Sequence, residues 1–573
     1  MTDISKGDKP DPIAVSGAHK VQMEYKNIDG MIFIDMVSVG AKVLGQHREE
    51  INDLNVFPIP DGDTGDNMLM TIESGLKHVS RDETAALSEA SKKLSDGMLF
   101  GARGNSGVIL SRIFYGIAKG LVGRDSADVA AICDALISGV SEAYSAVSRP
   151  VEGTILSVYR DAAEHARSSS SEEDSVDRLF DEILTEMRAS LERTPELLAV
   201  LKEAGVVDSG GAGLMYIFEG MRRALSGETG DDRVSHPGPG DKAEVDLSLF
   251  GEDSELEFGY CTEFLLRIQR AKADKDQFDV DRFTGEISRF GDSIVAFRDD
   301  SILKVHIHTR APGDVLNFCQ RYGEFLTLKI ENMTLQHNGT KKEEAPPSPK
   351  KPKKKYGIVA VAGGKGIVDT FVSLGCDKVI EGGQSMNPEV DDFIRAFREI
   401  PADNIIVYPN NKNVILAARQ ATELYGDANV MIVPSKTVGE GYSGISMLDT
   451  SSDDPEAIIA EQTEIISAVV TGFVSKASRD AQMDGVRVVA GDYVGFSDGK
   501  IIVDDPQRMN ALIQLASNLG ADKCDVMLLI YGKETDKEEA EAVADALGRR
   551  FRRTEVVTID GGQPVHDYII VLE

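Results

Sequence analysis

Asn55-Val-Phe-Pro-Ile-Pro-Asp61-Gly-Asp63-Thr64-Gly65-Asp66-Asn67-Met68 puts three carboxylates within six positions on a glycine-containing turn. Carboxylates so close together repel one another, and a hard divalent cation relieves that repulsion. Mg²⁺ does so with oxygen ligands while sharing its other positions with phosphates and water. Pro58 and Pro60 stiffen the approach, and Gly62 and Gly65 allow the sharp backbone on which aspartates converge. An EF-hand loop needs glycine at its sixth position and glutamate at its twelfth; counted from Asp61 these hold Asp66 and Ile72, which excludes it. The competing reading is a solvated Asp/Gly surface turn.

The surrounding sequence argues against that alternative. From about residue 25 to 225 apolar residues return every three or four positions, as in Met31-Ile-Phe-Ile-Asp-Met36-Val-Ser-Val39-Gly-Ala-Lys-Val43-Leu44. This predicts one all-α domain with its glycine-rich loops gathered at one end. Gly101-Ala-Arg103-Gly104-Asn105-Ser106-Gly107 runs directly into an apolar helical pattern, and Gly205-Val-Val-Asp208-Ser209-Gly210-Gly211-Ala-Gly213 precedes another. Amides at a helix N-terminus attract phosphate oxygens. No G-x-x-x-x-G-K-[ST] sequence occurs, which argues against a P-loop ATPase.

A chain of 573 residues exceeds one hydrophobic core, so three or four domains are expected. The net charge of −33 argues against nucleic-acid binding, which needs a basic face. Five scattered cysteines, at 133, 261, 319, 376 and 524, fit a reducing compartment better than a disulfide framework. The opening residues lack an apolar signal core, and no apolar run is long enough for a transmembrane segment. These features predict a cytoplasmic protein whose contact with lipid is indirect or peripheral.

We divide the chain into a polar tail (1–24), the helical domain (25–226), an acidic Pro/Gly-rich linker or insertion (227–254), a small α+β domain (255–335), a charged Pro-rich linker (336–355) and an α/β domain (356–573). The last is read from short β-rich runs such as Tyr356–Val361, Asn404–Tyr408, Val430–Pro434 and Val526–Tyr531 alternating with helical segments. Glu381-Gly-Gly-Gln384 and Asp560-Gly-Gly-Gln563 each follow a strand, an echo that hints at two related halves.

Asn-x-x-Pro-x-Pro-Asp-Gly-Asp-Thr-Gly-x-Asn-Met, Gly-Ala-Arg-Gly-Asn-Ser-Gly, Pro150-Val-Glu152-Gly153-Thr154 and Val-Val-Asp208-Ser-Gly-Gly resemble the catalytic subunit of bacterial fatty acid kinase. Its nucleotide domain is similar to the ADP-binding L subunit of dihydroxyacetone kinase. The resemblance continues through Gly259-Tyr-Cys261-Thr-Glu, Val305-His306-Ile-His308, Gly382-Gly-Gln384-Ser-Met386-Asn387-Pro, Pro409-Asn410-Asn411-Lys412-Asn413 and Gly561-Gly-Gln563-Pro. It implies a barrel of about eight helices that binds ATP with two Mg²⁺, and a phosphotransferase acting on a carboxyl group. The fatty acid would be presented by a separate fatty-acid-binding carrier protein on the C-terminal domain, and the acyl phosphate would feed phospholipid synthesis. A homodimer is also implied.

By the same resemblance Asp61 and Asp63 are metal ligands, and Asn55 stands where dihydroxyacetone kinases carry another aspartate. Arg103 lies near the transferring group. Thr64, Gly65, Asn67, Met68, Gly104, Asn105, Ser106, Gly107, Thr154, Asp208 and Gly210 surround the nucleotide. The position of Thr64 is histidine in dihydroxyacetone kinases, and histidine also holds the ketone on their separate substrate subunit. Neither feature is visible here, which counts against a triose substrate. A carboxylic acid, with a pKa of about 4 to 5, is already an anionic nucleophile at neutral pH, so transfer needs alignment and charge neutralisation rather than a general base.

Asp66, Glu152 and Asp208 read equally well as ligands or as turn and helix-capping residues. His306-x-His308 on one predicted strand and Cys261 on another suit a Zn²⁺ site, which the resemblance supports. The loops 382–387 and 409–413 are expected at a partner surface, with turn capping as the alternative. Rival functions are a nucleotide-responsive binding scaffold and a kinase of a small hydroxy-compound.

Overall fold

The computed structural model describes residues 24–54, 62–79, 86–147, 149–171, 173–228, 260–268, 278, 280–299, 302–332, 353–383 and 386–573. Asn55 and Asp61 lie outside them. The chain divides after Val234 and after Lys351, so that the N- and C-terminal segments form one compact unit and the middle segment a second.

The N-terminal part is helical because its apolar residues fall on one stripe per helix. In Gly30–Gln46 the buried residues Phe33, Met36, Val37, Gly40, Val43 and Leu44 recur at three- and four-residue spacing, and the Asp29 carboxylate caps the first turn by accepting from Ile32 N–H at 2.9 Å. Among the described residues this part has eight helices of 14 to 22 residues, Gly30–Gln46, Thr64–Lys77, Leu87–Phe100, Gly104–Gly120, Val129–Ser145, Ile155–Ser169, Val176–Leu197 and Ser209–Leu225, and two short ones, Arg48–Asp53 and Ala199–Ala204. From Leu87–Phe100 onward each packs on its successor up to Val176–Leu197; Ser209–Leu225 then packs on Val176–Leu197 and on Gly30–Gln46, which in turn meets Leu87–Phe100. The first and last helices cross where a Cβ on Gly40 would come within 2.8 Å of the Ile217 carbonyl, so glycine sets their close approach.

Among the described residues the C-terminal part contains two large sheets and a two-stranded ribbon of Ala481–Met483 and Val486–Val488, rather than the single α/β sheet its strand runs suggest. The first is parallel, in the spatial order Asn429–Ile432, Ala402–Tyr408, Lys354–Ala362, Lys378–Glu381. The second is mixed, in the order Lys500–Asp505, Tyr493–Ser497, Val470–Lys476, Tyr568–Leu572, Val526–Tyr531, Glu555–Asp560. Both Gly-Gly-Gln segments follow an edge strand, one in each sheet, but an all-parallel and a mixed sheet differ in strand direction. One apolar core, including Tyr356, Ala360, Phe473, Val494, Leu528 and Ile569, draws on both sheets.

The helical part and the parallel sheet also share a core. Ala102 and Val108, from the helical part, are buried in one cluster with Val359, Val361, Val390, Phe393 and Val407. The helix Ile415–Leu424 lies against Gly104–Gly120, and Val390–Glu399 touches Leu87–Phe100. The α/β domain is therefore packed onto the helical domain, not held to it by a chain tether alone.

The middle unit is an antiparallel sheet ordered Asp292–Asp299, Ile302–Thr309, Tyr260–Ile268, Gly323–Asn332. Alternate residues Phe264 and Leu266, and Leu303, Val305 and Ile307, face a core shared with Phe283, Ile287, Val315 and Phe318 of its two helices, Val280–Ile287 and Pro312–Cys319.

Candidate active site

Four helix N-termini carry the motif loops, and short polar contacts tie these loops together. Asp63 heads Thr64–Lys77 but makes no side-chain cap to it. Asn52 accepts from Gly65 N–H at 2.7 Å and donates to the Asp66 carboxylate at 2.7 Å, while Arg48 Nε lies 3.5 Å from the same carboxylate. Asp66 thus clasps its helix to the preceding short helix, Arg48–Asp53. Asn67 is buried one helical step below Asp63 and donates its N–H to the Asp63 carbonyl at 2.8 Å.

The Gly101–Gly107 loop packs directly on this turn. Arg103 N–H reaches Thr71 Oγ1 at 3.3 Å, and a Cβ on Gly104 would stand 2.5 Å from Asn67 Nδ2. Gly104 also has φ +58°, so both space and backbone require glycine. The helix Gly104–Gly120 begins with no side-chain cap from Arg103 at its positive end, where the amides of Gly104, Asn105 and Ser106 lie.

The other two helices are capped. Asp208 accepts from Gly211 N–H at 2.7 Å and from the Ile155 amide, bridging the starts of Ser209–Leu225 and Ile155–Ser169. Thr154 caps the latter helix, accepting from Leu156 N–H at 3.3 Å, and Gly210 packs beside Ile155. Ser209 Oγ donates to Thr64 Oγ1 at 3.2 Å and joins this pair of loops to the first. Burial pushes the Asp208 carboxyl up to about 6, against the two amides that favour its charged form. Glu152 is bound by Arg160 at 2.8 Å and by the Tyr144 hydroxyl at 3.1 Å. These bonds give Asp208 and Glu152 partners within the helical domain.

Sequence reasoning did not anticipate the contribution of the C-terminal domain. Asn387 donates its side-chain amide to the Asp63 carboxylate. Arg103 Nη2 pairs with Glu389 at 2.9 Å and Nη1 donates to the Asn387 carbonyl at 3.2 Å. Asn105 Nδ2 reaches Asn413 Oδ1 at 3.3 Å. Burial raises the Glu389 carboxyl, and Arg103 acts in the opposite sense. The loops expected to face a partner are therefore partly occupied by the chain's own helical domain. Asn410 and Asn411 are internal as well: Asn410 holds Val361 and Ser435, and Asn411 caps Asn413 N–H at 2.8 Å.

Met68, which the resemblance places at the nucleotide, lies deep in the helical domain. It has no exposed surface and packs in the helical core beside Gly213, so it supports the loop from beneath. Gly107 is likewise buried, against Thr71. Ser106 is half-buried in the first turn of its helix. In the middle unit Cys261 stands directly opposite His308, and His306 opposite Glu263 in the same strand pair; the side chains of the three expected zinc ligands lie outside what the structure describes. Among the described residues no group of three His, Cys, Asp or Glu side chains is placed to hold a metal.

The chain is 39% identical to Protein YloV of Bacillus subtilis over 558 residues, which covers 96% of this chain and 100% of that one. Domain models match in order: DAK2 domain at 58–223, the FakA-like middle domain of fatty acid kinase at 257–340, and the FakA-like C-terminal domain at 357–573. The chain belongs to the FakA-like family of fatty acid kinase proteins. A second relative, Uncharacterized protein SAR1202 of Staphylococcus aureus, is 35% identical over 95% of this chain and 99% of its own length. Among solved structures, DegV, a fatty acid binding protein from Bacillus subtilis, aligns at a TM-score of 0.29 and 11% identity, over 38% of this chain and 99% of that chain, a likeness too slight to bear on fold. The motif loops brought together here belong to the DAK2 domain of this family, and the Asn387 and Glu389 contacts come from its C-terminal domain.

The residues fit a nucleotide and a hard cation on two counts. Asn105 Oδ1 and Asn387 Oδ1 are buried acceptors without a partner, one from each domain, and the uncapped amides of Gly104–Gly120 are suited to phosphate. No helix among the described residues is long and apolar enough to cross a membrane.

Proposed function

We propose that this chain is an ATP-dependent kinase that transfers phosphate to the carboxylate of a fatty acid presented by a separate fatty-acid-binding protein, giving acyl phosphate and ADP for phospholipid synthesis. The observation that carries this reading is the convergence of Asp63, Arg103 and the uncapped start of Gly104–Gly120 within one loop cluster of a DAK2 domain. Mg²⁺ would be held by Asp63 together with Asp61 and Asn55, and supplies neutralisation of phosphate charge. The Gly104, Asn105 and Ser106 amides orient phosphate oxygens, with Thr64, Gly65, Asn67, Thr154, Asp208 and Gly210 shaping the loops around them. Arg103 meets charge on the group in transit. No residue is needed as a general base, because the acceptor is already ionised at neutral pH.

The reading includes a homodimer working in the cytoplasm or at the inner membrane face, and Zn²⁺ at Cys261, His306 and His308, where the strand register supports at least the Cys261–His308 pair. Incubating the purified protein with ATP, Mg²⁺ and a fatty-acid-loaded carrier tests it directly. Acyl phosphate trapped by hydroxylamine is the expected product; its absence, with phosphate passing instead to a small hydroxy-compound, overturns the carboxyl assignment.

A further inference from the structure

We propose that Asn387 and Glu389 of the C-terminal domain are positioning residues of the phosphoryl-transfer site, Asn387 orienting the Asp63 carboxylate and Glu389 the Arg103 guanidinium. This inference rests on the kinase reading and adds to it that the catalytic loops are complete only with the α/β domain in place.

Asp63 starts its helix without capping it, so the helix itself does not fix its carboxylate; the Asn387 amide donates to that carboxylate from the other domain. Arg103 is gripped at two nitrogens, Nη2 by Glu389 at 2.9 Å and Nη1 by the Asn387 carbonyl at 3.2 Å. About a fifth of each side chain stays exposed, 22% for Arg103 and 24% for Glu389, so the pair is held and still reachable. An unrestrained arginine must lose rotamer freedom to meet a transition state; one already fixed along one edge has lost it beforehand.

The backbone reinforces the side chains. Arg103 and Glu389 form an antiparallel bridge, and Val390 N–H donates to the Ala102 carbonyl at 3.2 Å. Asp392 accepts from Glu389 N–H at 2.9 Å and locks the start of the following helix. Ala102 and Val108 lie in the core of the parallel sheet, so this loop sits on a packed interface and is not a flap.

A second observation points to a ligand. Asn387 is 2% exposed, yet its Oδ1 has no partner, and neither has Asn105 Oδ1 across the junction. Native structures leave few buried carbonyl oxygens unpaired, and the Asn387 oxygen, on the side chain that donates to the Asp63 carboxylate, suits a cation or a cation-bound water.

Asn387→Ala and Glu389→Gln, made in the full chain beside Asp63→Asn as reference, test the assignment. Three quantities are measured: binding of a fluorescent ATP analogue as Mg²⁺ is titrated, the melting midpoint, and kcat and KM for ATP with a loaded carrier. Asn387→Ala is expected to raise the Mg²⁺ concentration for half-maximal nucleotide binding about fivefold. Glu389→Gln keeps shape and hydrogen bonding but removes the charge, and is expected to lower kcat about tenfold while KM for ATP moves about twofold at most. Both should melt within a few degrees of the parent. If both variants match the parent while Asp63→Asn loses Mg²⁺-dependent binding, the inference is overturned and the kinase reading stands. Activity that falls only in step with a lowered melting midpoint also overturns it, by reducing both residues to packing. If Asp63→Asn itself binds nucleotide and Mg²⁺ like the parent, the site reading fails and the inference goes with it.

Discussion

Gln420 donates Nε2–H to the Leu99 carbonyl at 2.6 Å across the boundary between the helical and α/β domains, while its Oε1 accepts from Arg112 Nε at 2.9 Å. The amide is buried and uses both ends, so each domain supplies the polar partner the other lacks. Beside it Ala102 and Val108 complete an apolar core whose other members belong to the α/β domain. A chain ending near residue 335 is expected to expose this surface, to aggregate or melt well below the full protein, and to bind nucleotide more weakly. Gln420→Ala should lower stability by about 1–3 kcal/mol by leaving the Leu99 carbonyl without its buried donor and Arg112 Nε without its acceptor, while Arg112 Nη2 keeps Glu423. A truncated protein that stays monomeric and melts like the full chain in a thermal scan would show that this interface is dispensable.

Asp63→Asn should leave the fold intact, since its carboxylate caps no helix, but should reduce acyl phosphate formation at least about a hundredfold. Arg103→Ala should depress kcat more than it weakens ATP binding, because its charge is matched to the group in transit. An effect confined to KM for ATP would make Arg103 a ground-state phosphate contact instead. Circular dichroism beside steady-state kinetics separates these outcomes.

Stability should respond to pH through two buried groups acting in opposite directions. Burial raises Asp208 to about 6, above its unfolded value near 4, so the folded state binds more protons between those limits. Its contribution is present below about pH 4 and lost as pH rises through 6. Burial lowers His566 to about 4 from an unfolded value near 6.5, and the sign reverses. Its contribution is present above about pH 6.5 and lost as pH falls through 4. Each shift corresponds to about 3 kcal/mol, so their opposing slopes partly cancel in the parent. Asp208→Asn, which keeps a capping oxygen, should gain melting temperature relative to the parent as pH rises from 4.5 to 7, and His566→Gln should gain relative to it as pH falls. Parallel melting curves for parent and variants across that range would refute both assignments.

The full chain should carry one Zn²⁺ per molecule, and a Cys261→Ser/His306→Ala double variant should carry none. Elemental analysis after dialysis decides this. Equal zinc in both samples removes Cys261 and His306 as ligands.

Much of this protein was legible in its residues because the determining patterns are local. Three- and four-residue apolar spacing specifies the helices from Gly30 to Leu225, alternation specifies the strands of the middle unit, and glycine beside Asp, Asn and Ser marks loops at helix starts. Such patterns, with the family resemblance, single out Asp63, Arg103 and Asn105, because the residue types suited to phosphate and metal are few, and the fold brings contacts from the C-terminal domain to all three. They left Asp66, Glu152 and Asp208 undecided, since a carboxylate on a turn has the same sequence whether it meets a cation or a neighbouring amide. Tertiary structure supplies partners in each case, through Asn52 and Arg48, through Arg160 and Tyr144, and through the amides of Gly211 and Ile155. Met68 likewise carries a motif's identity but belongs to the core, a distinction of depth that periodicity does not encode. Nothing in the sequence around Asn387 and Glu389 points to Asp63 and Arg103, more than 280 positions earlier. That relationship exists only because a shared core of Ala102, Val108, Val390 and Phe393 brings two separately patterned domains into register, and burial at such a junction depends on shape and area from both sides at once.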